Sequence, residues 1–156
     1  MSLQTLEYAK ELPVSWGMQV DGGLPAQHRL AAVDLDLRSP ADWEDKADKR
    51  LRDLAALRRG WNGPNSGPIS LGMAAYVRSV LKSVMSYHSP LPSFVPANGG
   101  SVQLEWHRNG LDIELMIYRP FQAELSVFFH DGRPAMDEQP LSAEFNILSD
   151  VLSELH

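Results

Sequence analysis

Residues 102–118, VQLEWHRNGLDIELMIY, alternate apolar and polar side chains in two runs joined by Asn109-Gly110. Period two sends successive side chains to opposite faces, and Asn-Gly accepts the positive φ angles of a two-residue turn, so the stretch reads as a β-hairpin. Such a turn also sets the register. Arg108 faces Leu111, His107 faces Asp112, Trp106 faces Ile113 and Glu105 faces Glu114. A third strand over Glu124–His130 keeps Leu125, Val127 and Phe129 on the apolar face when Ile117 lies opposite Leu125, Leu115 opposite Val127 and Ile113 opposite Phe129. That pairing puts His130 beside Asp112, and Phe128 in a second row with Glu105 and Glu114.

Helical spacing takes over on both sides of this sheet. Ser39 can cap a first helix with Pro40 at its first position, Asp42, Glu44 and Asp45 near its positive end, and Trp43, Ala47, Leu51, Leu54 and Leu57 as its inward stripe. Arg58 and Arg59 then suit the last turn, with Gly60 as the left-handed terminator. Ser70 caps a second helix reaching about Tyr87, on Met73, Val77, Val80, Leu81 and Val84. A C-terminal helix starts at Leu141-Ser142 and carries Phe145, Leu148, Leu152 and Leu155. The expectation is therefore one α+β domain over 1–156: an antiparallel sheet of about three to five strands built on 101–130, with helices near 40–59, 71–87 and 142–155 packed on one face. Residues 1–38 keep no steady period, apart from a short alternating strand around Leu30–Leu37, and are expected to wrap loosely.

Between the first two helices lies GWNGPNSGPIS, residues 60–70. Gly60, Trp61, Asn62 and Gly63 read as a structural corner, with Asn62-Gly63 turning the chain, Pro64 and Pro68 stiffening it, and the Trp61 ring buried beneath it. Its glycines lack phosphate-loop spacing, no Lys-Ser/Thr follows, and no strand leads in. Ser66 is not at the centre of a G-x-S-x-G elbow and reads as a turn hydroxyl.

Gly60-Trp61-Asn62-Gly63 with Pro68-Ile69-Ser70, followed by Phe94-Val95-Pro96 and the run Asn98-Gly99-Gly100-Ser101-Val102-Gln103-Leu104-Glu105-Trp106, resembles an uncharacterised family of small bacterial proteins. Its members share a GWDG-like corner and a DGG-V-x-L-E-W strand. The likeness spans about residues 51–118 and implies a fold without implying an activity. Where the family often carries aspartate this chain has Asn62 and Asn98, which speaks against acids or metal ligands at those two positions.

The chain has no cysteine, so disulfides, thiol nucleophiles and cysteine-bound zinc are excluded, and a reducing, cytoplasmic setting is the expectation. The first residues hold no long apolar run, which argues against a signal peptide or a membrane span. Charge is uneven: residues 1–100 hold 11 Lys and Arg against 10 Asp and Glu, whereas residues 101–156 hold Arg108, Arg119 and Arg133 against ten acids. An acidic C-terminal third repels phosphate backbones, so direct nucleic-acid binding is not expected and a basic protein partner is.

Two functional readings follow from the polar face. The first is a non-enzymatic, acidic protein-binding module that inhibits or neutralises a basic partner such as a toxin or a nucleic-acid-handling complex. Its contact residues would be Glu105, Glu114, Met116, Tyr118 and Phe128, with a homodimer as a further arrangement. No complete catalytic motif is present, and no cofactor is called for. The second reading is a metal-dependent enzyme or metal-binding protein, with a divalent metal held by His107, Asp112 and His130, two imidazoles and a carboxylate. Like charges at Glu105 and Glu114, directly opposed, need relief from water, an arginine or a ligand. His28, His88 and His156 read as surface residues.

Overall fold

The computed structural model describes residues 41–156, which belong to one compact unit. The strand expected over Leu30–Leu37, the Ser39 cap, Pro40 and His28 lie outside them. Within the described residues the chain forms three α-helices and a five-stranded antiparallel sheet, an α+β architecture.

Helix α1, Glu44–Ala55, carries Glu44 and Asp45 in its first turn, and the Glu44 carboxylate accepts the Ala41 N–H at 3.3 Å. It is shorter than the expected 40–59. The corner explains the early stop: the N–H groups of Leu57 and Ile69 both turn back to the Leu54 carbonyl, at 3.4 Å each. Arg58 and Arg59 consequently lie beyond the helix, and Gly60, at φ 76°, belongs to the corner and does not terminate α1. Helix α2, Leu71–Val84, begins as its cap predicts, with Ser70 Oγ accepting the Met73 N–H at 3.0 Å. It ends three residues before Tyr87, at a turn in which Ser89 Oγ takes the Ser86 N–H at 2.8 Å and so offers the backbone an alternative to another helical turn.

Strands β1 (Ser93–Pro96), β2 (Val102–Arg108), β3 (Leu111–Arg119), β4 (Gln122–Phe129) and β5 (Met136–Leu141) form a meander in sequence order. Helix α3 covers Asn146–Ser153, shorter than 142–155 because Leu141 is still paired in β5, opposite Ala123. Asn109 and Gly110 adopt φ 56° and 72°, and the β2–β3 register is the one the tight turn dictates: Arg108 to Leu111, His107 to Asp112, Trp106 to Ile113, Glu105 to Glu114.

The β3–β4 register needs correction. Ile117 pairs with Ala123, Leu115 with Leu125, Ile113 with Val127 and Leu111 with Phe129, two residues away from the expected alignment. Strand β4 starts earlier than Glu124 because the turn is short. Arg119 pairs directly with Gln122 around Pro120-Phe121, and an irregularity between Ile117 and Arg119 absorbs the odd residue. A shift of two preserves the face of every side chain, so Leu125 and Val127 still point inward. Edge strand β5 carries Asp137, Glu138 and Pro140, features that discourage pairing with another chain.

The inner positions of β2–β4, from Val102 to Val127, join the buried stripes of the three helices in one hydrophobic cluster. Trp43 and Trp106 lie within it, each indole N–H finding a carbonyl at 2.9 Å, Ser86 and Pro90 respectively. No helix among the described residues is long and apolar enough to cross a membrane.

Candidate functional site

On the opposite face of the sheet the register lays out three cross-strand rows. His107, Asp112 and Phe128 form the first; Ser93, Glu105, Glu114 and Ser126 the second; Val95, Gln103, Met116, Glu124 and Pro140 the third. Phe128, expected beside Glu114, therefore stands beside Asp112, and Ser126 takes its place.

His130 no longer lies opposite Asp112, yet the two side chains still meet. Its backbone N–H bonds the Gly110 carbonyl at 2.9 Å, just beyond the strand, and from there Nε2 reaches Asp112 Oδ2 at 2.8 Å. His107 Nδ1 lies 2.8 Å from Asp112 Oδ1. One carboxylate is thus held between two imidazoles, one oxygen to each. The hydrogen bond from His107 keeps the Asp112 carboxyl below its ordinary value, with His130 adding to the effect. Reciprocally, the bond to Asp112 raises His107 above the usual imidazole value; partial burial opposes this and Glu105, whose Oε2 is 3.5 Å from His107 Nε2, reinforces it.

Glu105 and Glu114 face one another as the turn requires, and what separates them is Gln103. Its amide nitrogen donates to Glu105 Oε1 at 3.0 Å and to Glu114 Oε2 at 3.1 Å, so both N–H groups are spent on the like-charged pair. No arginine performs that task. Sequence reasoning missed this role, although the signal was there: Gln103 has the same parity as Glu105, two residues away on the same face. Tyr118 Oη donates to Glu124 Oε2 at 2.6 Å, and the adjacent carboxylate pushes the phenol's pKa up. At the far edge Ser126 Oγ bonds Asp137 Oδ1 at 3.3 Å.

The apolar members of the face are accessible, Tyr118 and Phe128 at 41% and 40%, with Met116 half-buried. The three rows hold four carboxylates, two of them within reach of His107, and no lysine or arginine, while Arg119 stands beyond them opposite Gln122. A shallow groove of about 280 Å³ opens beside His107, lined by Pro90, Ser93, Glu105 and Arg108 among others. A larger apolar groove of about 440 Å³ runs between α1 and α2, past Leu51, Ala55, Leu71 and Ala74, away from these groups.

The three residues named as metal ligands, His107, Asp112 and His130, meet as a hydrogen-bonded row. Among the described residues no group of three histidine, aspartate or glutamate side chains is disposed to hold a metal ion. Both other described histidines are exposed, His88 packing edge-on against Tyr87 and His156 Nε2 lying 3.2 Å from Ser86 Oγ.

The corner is built differently from the expectation in one respect. Trp61 is 40% exposed and does not anchor it. The buried residue is Ser66, whose hydroxyl donates to the Gly63 carbonyl at 2.7 Å and accepts the Asn62 N–H at 2.8 Å, while the Gly60 N–H bonds the Ser66 carbonyl at 2.8 Å. A small hydroxyl inside the turn satisfies two backbone groups that a bulky ring could not reach, and the serine's own carbonyl takes a third. The second glycine run abuts this knot: the Gly99 N–H bonds the Asn65 carbonyl at 2.9 Å, and a Cβ on Gly100 would stand 3.1 Å from the Pro68 carbonyl oxygen. These residues join the helices to the sheet. Comparison of the chain with protein-family models, with curated proteins and with solved structures finds no match.

Proposed function

We propose that this chain is a non-enzymatic protein-binding module that receives a basic polypeptide on the outer face of its sheet and thereby neutralises or inhibits it. The observation that carries the reading is the composition of that face: carboxylates at Glu105, Asp112, Glu114 and Glu124, accessible apolar surface at Met116, Tyr118 and Phe128, and no cation within the three rows, Arg119 standing beyond them opposite Gln122. Aromatic and methionine surface rimmed by charge of one sign is the make-up of a protein interface, and the charge selects the partner's sign. Gln103 supports the reading as well. It holds two carboxylates side by side without neutralising them, so a partner's guanidinium can replace the amide and take both. Pull-down from lysate with the wild-type chain and with Glu105→Gln/Glu114→Gln tests this. A basic protein retained in stoichiometric amount by the first, released by salt and lost in the second, is the expected result. Recovery of no partner, together with turnover of a substrate, would reverse it.

The competing reading, a divalent metal at His107, Asp112 and His130, draws on the approach of both imidazoles to one carboxylate at 2.8 Å. Calorimetric titration with zinc, manganese and nickel separates the two. On the protein-binding reading no metal binds at micromolar concentration; metal binding that weakens below about pH 6.5 and disappears in Asp112→Ala would favour the metal.

A further inference from the structure

Three of the chain's five asparagines precede glycine, in Asn62-Gly63, Asn98-Gly99 and Asn109-Gly110, and a fourth, Asn65, precedes serine. An asparagine side chain is open to attack at Cγ by the backbone nitrogen of the next residue, most readily when that residue is glycine, which has no Cβ to obstruct the approach. All four are exposed, so access does not rank them. The backbone hydrogen bonds do. The Gly63 N–H is held by the Gly60 carbonyl at 3.3 Å, the Ser66 N–H by the Gly63 carbonyl at 3.1 Å and the Gly99 N–H by the Asn65 carbonyl at 2.9 Å. A nitrogen tied in this way neither gives up its proton nor swings toward Cγ until the knot opens. Gly110 differs: the ladder at its turn is carried by Arg108 and Leu111, and among the described residues the Gly110 N–H meets no acceptor.

Asn109 also holds a contact that its conversion would remove. Its side-chain N–H donates to the Leu155 carbonyl at 3.3 Å, which joins the β2–β3 turn to the residues just past α3, 46 positions along the chain. We propose that Asn109 is a site of spontaneous deamidation, with water as the co-reactant, and that the conversion releases the C-terminal segment from the turn. The Gly110 nitrogen bonds to Asn109 Cγ, the Cγ–Nδ2 bond breaks, and the amide nitrogen leaves as ammonia with the proton that Gly110 gives up. Water then opens the cyclic imide. Cleavage between the Gly110 nitrogen and Cγ leaves aspartate, whereas cleavage of the original peptide bond leaves isoaspartate, with the chain now running through Cγ. Either way the hydroxyl of water completes a new carboxyl group and its remaining hydrogen returns to the Gly110 nitrogen. Both products replace the donor with a carboxylate, and beside the Leu155 carbonyl that is an acceptor facing an acceptor. Isoaspartate also adds a backbone methylene to a two-residue loop whose length sets the β2–β3 register.

The test follows each site by mass spectrometry, reading the mass gain from amide to acid, while chromatography separates aspartate from isoaspartate. Folded wild type held at mildly alkaline pH should convert at Asn109 roughly tenfold or more faster than at Asn62, Asn65 or Asn98, which react only while locally open. In guanidinium the three Asn-Gly sites should convert alike. Folded protein in which Asn62 or Asn98 keeps pace with Asn109, or in which Asn109 stays intact while the unfolded chain reacts, overturns the site. Asn109→Asp, which the turn accepts as readily as asparagine, isolates the consequence. It should lower the denaturation midpoint, and wild type should drift to a lower midpoint as it converts. Asn109→Gly keeps the turn but lacks both the amide and the tie, so its midpoint should start low and stay there. A midpoint in Asn109→Asp equal to that of wild type, or an aged wild type whose midpoint holds after conversion, overturns the release of the C-terminal segment.

Discussion

The two faces of strands β2 and β3 are built from adjacent residues and obey different rules. Leu104, Ile113, Leu115 and Ile117 on the inner face are fully buried, and nothing but shape and volume distinguishes them. Gln103, Glu105, Asp112 and Glu114, each one residue away, are partly exposed and connected by named hydrogen bonds to specific neighbours. Burial without partners makes the inner face a matter of parity. The outer face is a matter of chemistry, and its stability and its binding should come apart under mutation.

The largest expected effect tests that separation directly. Leu115→Ala deletes a fully buried side chain and should cost about 2–5 kcal/mol in chemical denaturation. Met116→Ala, on the same strand but facing out and half-buried, should cost about 1 kcal/mol or less, while weakening capture of a basic partner. Equal losses of stability from both would mean that the outer face is also part of the folding core.

A smaller effect sharpens the comparison. The His107–Asp112 contact should contribute to stability only where imidazolium and carboxylate coexist. His107 is raised from its ordinary 6.5, so its contribution is full below that value and fades as pH climbs through the folded one. Asp112 is lowered from 3.8, so its contribution is full above that value and is lost as pH falls through the folded one. A double-mutant cycle with His107→Gln and Asp112→Asn should thus show its coupling between about pH 4 and 6.5, at about 0.2–1 kcal/mol for so exposed a pair, and little at about pH 8. Coupling that grows with pH would contradict the charge assignment.

What the sequence made legible divides along the same line. Asn109-Gly110 determined the β2–β3 register to the residue, because two positive-φ positions leave the hairpin no other turn. The apolar stripes placed the buried positions of α1 and α2, and in α3 Leu148 and Leu152 but not Val151. The β3–β4 register escaped, since Pro120-Phe121 is a tight turn with Phe121 at φ 64°, a conformation that phenylalanine gives no reason to expect. Strand β5 escaped too: Asp137, Glu138, Gln139 and Pro140 are all exposed, and an edge strand without alternation carries no signal. In the candidate site, His107 beside Asp112 and Glu105 beside Glu114 were readable from the turn. His130 met Asp112 by a different route from the one expected, a reach from beyond the strand end, and the Gln103 bridge depends on side-chain geometry that spacing does not reveal.

The strand order has a consequence in time. Every strand of the meander pairs with its immediate predecessor, so each ladder closes only a short loop before its hydrogen bonds begin to form. The contacts that tie the helices across the sheet are of another kind: Tyr76 Oη reaches the Ser142 carbonyl, 66 residues on, and Ser86 Oγ meets His156, 70 residues on. Such contacts carry a larger loop-closure entropy. The sheet should therefore assemble early, by zipping from the Asn109-Gly110 hairpin, and the docking of α2 against the C-terminal segment should be the late, rate-limiting event. During synthesis that event must also wait for His156 to emerge, because this residue is itself one of the closing contacts.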